Sequence, residues 1–325
     1  MKSITAFIVS LLIIMLCACA EALPVSYNVT DQAGRTITVE EPVERIISGY
    51  YISSSLCIAL GLSDRLVGIE ARAETRPIYA LAKPELLELP NVGTARDFNL
   101  EACLALKPDL VILPNRLIDS ANILSEFDIP VILVNPESFD GIIEMITIAG
   151  KAAGVQERAE QLITYIESSR KELEALAAGV TNKPRVYIGG VGSWLSTAPK
   201  DMYQSTLVEI AGGINAAGDL TGSGWMEISY EQLFVMNPEV IIIPSEASYD
   251  IDDVLSDPAI AEIIAVKNNR VYKMPSDYEA WDSPIPASML GAKWLINTLH
   301  NDLYPDEILS RAIAEFYIEF YNIAA

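Results

Sequence analysis

Residues 99–114 read Asn-Leu-Glu-Ala-Cys-Leu-Ala-Leu-Lys-Pro-Asp-Leu-Val-Ile-Leu-Pro, and residues 229–244 read Ser-Tyr-Glu-Gln-Leu-Phe-Val-Met-Asn-Pro-Glu-Val-Ile-Ile-Ile-Pro. They align without a gap at an offset of 130, placing Glu101 on Glu231, Pro108 on Pro238, Asp109 on Glu239 and Pro114 on Pro244. Both copies have one physical reading. Asn99 and Ser229 are helix N-caps, and Ser229 with Gln232 makes a capping box. A short helix follows and ends at the proline turn. The apolar runs 110–113 and 240–243 then read as strands buried on both faces of a parallel sheet. A helix–turn–strand unit used twice implies two similar α/β lobes.

Working outward, the first lobe offers further strands at 45–48, 66–69, 92–94 and 131–134, and the second at 185–188, 214–216 and 270–273. Helical patterns lie between most of them, the alternation expected of doubly wound, Rossmann-like sheets. Between the lobes, Ala159, Leu162, Ile163, Ile166, Leu173, Leu176 and Ala177 recur mostly at three and four within residues 156–178. At about 1.5 Å per residue this helix is a rod of roughly 35 Å, ended by Gly179 and Pro184. The expected organisation is a leader over 1–22, an N-terminal α/β lobe over 23–155, a linking helix over 156–180 and a C-terminal α/β lobe over 181–325.

Composition narrows the function. A chain of 325 residues is comfortable for two domains. Twenty-two basic against 44 acidic residues give a net charge of −22, which repels nucleic acid and anionic membrane surfaces. The single histidine, His300, argues against His-rich zinc sites and Ser-His or Cys-His catalysis. No G-x-G-x-x-G, Walker Gly-Lys-Ser/Thr, G-x-S-x-G or H-E-x-x-H pattern occurs; Gly189-Gly190-Val191-Gly192 follows a strand without completing the first of these. Asp252-Asp253 reads as solvated charge in a loop before a helical run. The reading is of a binder rather than an enzyme, with no cofactor.

The first residues form an export signal: Lys2, an apolar stretch over 4–16, then Leu16-Cys17-Ala18-Cys19-Ala20-Glu21-Ala22. Two cleavage readings compete. A lipobox-like 16–19 would make Cys19 a lipidated first residue, whereas Ala20-Glu21-Ala22 would release a soluble protein starting at Leu23. Either places the mature protein in the cell envelope. The remaining cysteines, Cys57 and Cys103, lie in apolar helical patterns and read as buried free thiols.

Ligands of open α/β sheets sit beyond the carboxyl ends of the strands. Those positions carry Tyr50, Tyr51, Arg72, Arg96, Asn115 and Arg116 in the first lobe. In the second they carry Ser193, Trp194, Glu246, Tyr249 and the run from Tyr278 to Trp281, with Trp225 in a glycine-rich loop nearby. Arginines pair bidentately with anionic groups, and Tyr and Trp supply apolar walls with a polar tip. Convergence at one face would suit a large, partly flat ligand bearing anionic groups.

Several segments together resemble a known family. They are Arg45-Ile46-Ile47, residues 60–68, 99–111, Ala211-Gly212-Gly213-Ile214-Asn215, Glu231-Gln232-Leu233 and residues 265–272. In this order they are similar to the substrate-binding proteins of ABC importers for ferric siderophores, haem and cobalamin, over nearly the whole mature chain. The resemblance implies two Rossmann-like lobes joined by one long helix and a small-molecule metal chelate held between them. It also implies an ABC permease as partner, docked by a glutamate on each lobe, here Glu101 and Glu231. The stretch 281–288 with Leu290-Gly291 and Trp294-Leu295 resembles a subgroup labelled iron-complex binding, so the expected ligand is an iron–siderophore or similar chelate. A corrinoid such as cobalamin is the alternative ligand. A two-lobed Rossmann-like enzyme and a purely structural envelope protein are the alternatives outside ligand transport.

Overall fold

The computed structural model describes residues 26–222 and 224–323; the leader and Cys19 lie outside them. The described chain opens with an antiparallel hairpin, β1 (Ser26–Thr30) and β2 (Thr36–Glu40). Its turn is held by the Asp31 carboxylate, which accepts from the Ala33 and Arg35 amides and pairs with the Arg35 guanidinium at 2.8 Å. The same carboxylate accepts from the Leu133 amide, pinning the hairpin to the first sheet.

That sheet contains β3 (Ile46–Ser48), β4 (Leu66–Gly68), β5 (Leu110–Pro114) and β6 (Val131–Val134), all parallel in the order β4-β3-β5-β6. The second lobe has β7 (Arg185–Ile188), β8 (Ser196–Thr197), β9 (Ile214–Asn215), β10 (Met226–Glu227), β11 (Val240–Ile243) and β12 (Val271–Lys273). Four of these form a parallel sheet in the order β12-β11-β7-β9, and β8 with β10 makes a small antiparallel ribbon. Every residue of β5, β6 and β11 is buried, as continuous apolar runs require. The expected strand at 92–94 is not one. Gly93, at φ +92°, turns the chain there and leaves two isolated bridges, Ile69 to Asn91 and Gly93 to Phe98.

The sequence repeat is a structural repeat. The Asn99 and Ser229 side chains cap helices Leu100–Leu106 and Tyr230–Met236. Both helices end in a left-handed residue, Lys107 and Asn237, which stand at equivalent places in the two copies. Beyond the buried prolines, Asp109 accepts from the Arg45 amide at 2.8 Å and Glu239 from the Arg185 amide at 2.9 Å, tying each helix–turn unit to a neighbouring strand. Asp252 and Asp253 are not in a loop: they lie in the helix Ile251–Leu255, and Asp253 completes a capping box with Asp250.

The connecting helix Gln156–Ala178 buries Ala159, Leu162, Ile166, Ser169, Leu173 and Ala177, a stripe at three- and four-residue spacing. It packs on helix Phe139–Ala152, where a Cβ on Gly150 would lie 2.4 Å from the Ala159 Cβ, so glycine sets the close crossing. Helix Asp306–Tyr321 returns to the first lobe and packs on helix Tyr51–Ala59, with the Ser55 and Tyr321 hydroxyls 3.0 Å apart. One apolar core therefore runs through both lobes, from Leu56 and Ile146 through Leu162 to Tyr203, Leu295 and Phe316. Cys57 and Cys103 are buried and free, and burial pushes each thiol up to about 12.

Candidate binding cleft between the lobes

After β3 the chain passes through Gly49, where a Cβ would stand 2.6 Å from the Leu113 side chain, and enters helix Tyr51–Ala59. This tight exit puts Tyr50 and Tyr51 at the carboxyl edge of the first sheet. After β4, Arg72 adopts a left-handed φ of 67° and opens a short turn to Arg76, which precedes helix Pro77–Ala82. From the second lobe, Glu246 follows β11 and Ser283 follows the loop after β12.

These residues meet. The Arg76 guanidinium lies 4.0 Å above the Tyr51 ring, and its Nη1 pairs with Glu246 Oε1 at 2.8 Å across the cleft. The Tyr51 hydroxyl donates to Ser283 Oγ at 3.0 Å. Tyr51, Thr75, Arg76 and Glu246 together divide the cleft into two chambers. The outer one, about 430 Å³, is bounded by Tyr50, Glu70, Arg72, Thr94 and Ala95. The inner one, about 180 Å³, is bounded by Ser55, Tyr79, Ser245, Tyr278 and Glu279. A wider groove of about 840 Å³ lies beside β2 at the amino edge of the first sheet, where Pro108 and Pro130 precede their strands. It borders the seam between the hairpin and the sheet, away from the edge where ligands of such sheets bind.

Three carboxyls are buried around the chambers. Glu70 accepts from Ser54 Oγ at 2.6 Å and the Tyr79 hydroxyl at 2.5 Å, yet burial still raises its pKa. Asp282 accepts from Ser245 Oγ at 2.7 Å and is likewise raised by burial. Burial pushes Glu279 up to about 7, against the opposing pull of the Ser55, Tyr321 and Tyr317 hydroxyls and of Arg76. Tyr50 and Tyr51 are also raised by burial, Tyr51 to about 12, so both hydroxyls remain protonated donors. Guanidinium and hydroxyl donors around an enclosed space can bind and orient an anionic ligand. Among the described residues, no group of three or more His, Cys, Asp or Glu side chains is placed to hold a metal ion.

The family model described as periplasmic binding protein matches residues 46–278. The chain belongs to that family. It is similar to the molybdate-binding protein MolA of Haemophilus influenzae, 25% identical over 321 residues that cover 90% of each chain. It is also similar to the vitamin B12-binding protein of Pectobacterium atrosepticum, 28% identical over 209 residues, covering 62% of this chain and 71% of that one. Among solved structures, a periplasmic solute binding protein from Veillonella parvula matches with a TM-score of 0.82 and 28% identity, over 93% of this chain and 94% of that one. The two parallel-sheet lobes and the long connecting helix are thus those of an ABC-importer periplasmic binding protein, which carries a small ligand to a permease.

Within this periplasmic binding protein, Tyr50, Tyr51, Arg72 and Tyr278 border the chambers. Arg116 lies near enough for its charge to act on the Tyr50 hydroxyl and on Glu137, and Asn115 Oδ1 beside it is buried without a hydrogen-bond partner. Arg96 is exposed in the loop that follows Thr94 and Ala95. The tryptophans are placed elsewhere. Trp194, half-buried, packs edge-on against Tyr249, 5.3 Å away, on the outside of the second lobe's core, and Trp225 is exposed beside the β8–β10 ribbon. Trp281 is not a cleft wall: it is 3% exposed, and its indole N–H donates to the Tyr317 hydroxyl at 2.9 Å inside the shared core.

Arg76, Glu70 and Ser283 were not among the site residues expected from strand ends, and Glu279 was covered only by the run 278–281. Arg76 stands directly before a helix-starting proline, several residues past its strand. Nothing in the local sequence shows that it reaches across to Glu246, 170 positions away.

Proposed function

We propose that the protein captures a compact metal chelate bearing anionic groups, a ferric chelate being the expected case, in the outer chamber. Arg72 and Arg76 would bind the anionic groups and Tyr50 and Tyr51 would form the wall, with Arg116 and Arg96 adding positive charge at the approach. Glu101 and Glu231 would present the loaded protein to the permease, and a lipid on Cys19 would hold it at the membrane. The observation that carries this reading is the pairing of two arginines with two protonated tyrosines around one chamber of about 430 Å³. That volume lies in the lower half of the range for small-molecule sites, so it favours a compact cargo. A corrinoid would need the lobes to part, and its periphery of amides makes little use of arginines. A relative named for molybdate, itself an oxyanion, is consistent with anionic cargo.

Calorimetric titration of the mature protein with ferric citrate, a ferric hydroxamate, molybdate, haemin and cobalamin tests the proposal. Saturable binding of ferric citrate, the hydroxamate or molybdate is expected. Binding of cobalamin alone would overturn it.

A further inference from the structure

Among the described residues, Arg76–Glu246 is the one ion pair that joins the carboxyl edges of the two sheets. Its two ends differ. The Arg76 side chain is 22% exposed, lies on the Tyr51 ring and faces both chambers; the Glu246 side chain is 49% exposed. A largely buried guanidinium left unpaired is costly, whereas a half-exposed carboxylate returns to water at little cost. Any event that breaks this pair therefore releases Glu246 and leaves Arg76 in need of another anion.

We infer that Glu246 is a tethered competitor: its carboxylate holds on Arg76 the place that an anionic group of the cargo takes on binding. The inference rests on the anionic-cargo reading above and makes Glu246 a specificity-determining residue. Because the competitor is part of the chain, its effective concentration at Arg76 is fixed and does not fall on dilution. A weak, singly anionic compound fails to displace it, while a chelate that reaches both Arg72 and Arg76 does so. Displacement also removes one of the two direct lobe-to-lobe contacts at Tyr51 and Arg76, leaving the Tyr51–Ser283 hydrogen bond. Cargo binding and lobe geometry are coupled at this point.

The test compares wild type, E246Q, E246D and R76Q in titrations with ferric citrate, the ferric hydroxamate and molybdate, with thermal melts to confirm that each variant is folded. Removing the competitor is expected to tighten binding of the anion that binds wild type by about fivefold, the equivalent of about 1 kcal/mol for a partly exposed pair. E246D, which keeps the charge on a shorter arm, should fall between wild type and E246Q, and R76Q should bind more weakly than all three. If R76Q binds weakly but E246Q binds no better than wild type, Glu246 is a latch or a bystander and the competitor role is refuted while the anionic-cargo reading stands. If R76Q matches wild type, or none of ferric citrate, the ferric hydroxamate and molybdate binds any of the four, the cargo reading fails and the competitor role with it.

Discussion

Reversing Glu101 and Glu231 together to lysine is expected to reduce delivery of cargo through the permease to background while leaving cargo affinity within about twofold of wild type. Both side chains are exposed and lie in the first turns of helices that the repeat superposes. Each helix runs back against the parallel strand it precedes, so its N-terminus stands at the carboxyl edge of its sheet, on the side where the cleft opens. Glu231 is held below the usual carboxylate range by the Ser229 hydroxyl and its own backbone amide, so it is charged at neutral pH. Two like-placed carboxylates, one per lobe, would suit basic groups on the permease. Charge reversal would turn such an attraction into repulsion, which costs more than neutralisation does. Neither residue borders a chamber, so capture should survive. Uptake into proteoliposomes containing the permease, measured beside calorimetric affinity, reads both quantities. Unchanged uptake would remove the docking role, and lost affinity would move these glutamates into the binding site.

A second large effect concerns Glu279. Its carboxyl is raised by burial from 4.5 to about 7 and is faced by the Ser55, Tyr317 and Tyr321 hydroxyls and by Arg76. Between those two values the folded protein binds more proton than the unfolded chain, so stability falls as pH rises. The contribution is complete below about pH 4.5 and lost as pH passes through about 7; it amounts to about 3 kcal/mol. Glu70 and Asp282 are raised in the same direction and add to the slope. Replacing Glu279 by Gln removes only its own share. Urea unfolding at pH 5 and pH 8 is therefore expected to show the variant gaining about 2.5 kcal/mol on wild type as the pH is raised. Parallel pH profiles for the two proteins would mean that Glu279 is not held protonated by its burial.

The repeat was legible because each of its parts is local. A capping side chain, a proline turn and an apolar run specify a helix, a reversal and a buried strand within sixteen positions, and two copies name each other. The connecting helix was legible for the same reason, its stripe lying within one segment. Three features were not. The β1–β2 hairpin depends on Asp31 reaching Leu133, a contact between distant segments. The tryptophans expected as cleft walls are apolar residues near strand ends, and sequence alone does not distinguish a wall from a core plug. Trp281 became a plug because the last helix crosses back to the first lobe and offers Tyr317 to its indole. The core of the cleft, Arg76 with Glu246 and Tyr51 with Ser283, is made of pairs whose members lie 170 and 232 positions apart. Strand-end reasoning reached the chamber-lining Tyr50, Tyr51 and Arg72 because a strand delivers them directly; it did not reach Arg76 because an extra turn intervenes.

The most direct test of the account is the position of the cargo's metal in crystals grown with whichever ligand binds in solution. Anomalous scattering at the iron or molybdenum edge locates that atom without any assumption about the protein. The account predicts a single strong peak in the outer chamber, within reach of Tyr50, Arg72 and Arg76. A peak in the groove beside β2, or one in the cleft with both arginines turned away from the ligand, would contradict it.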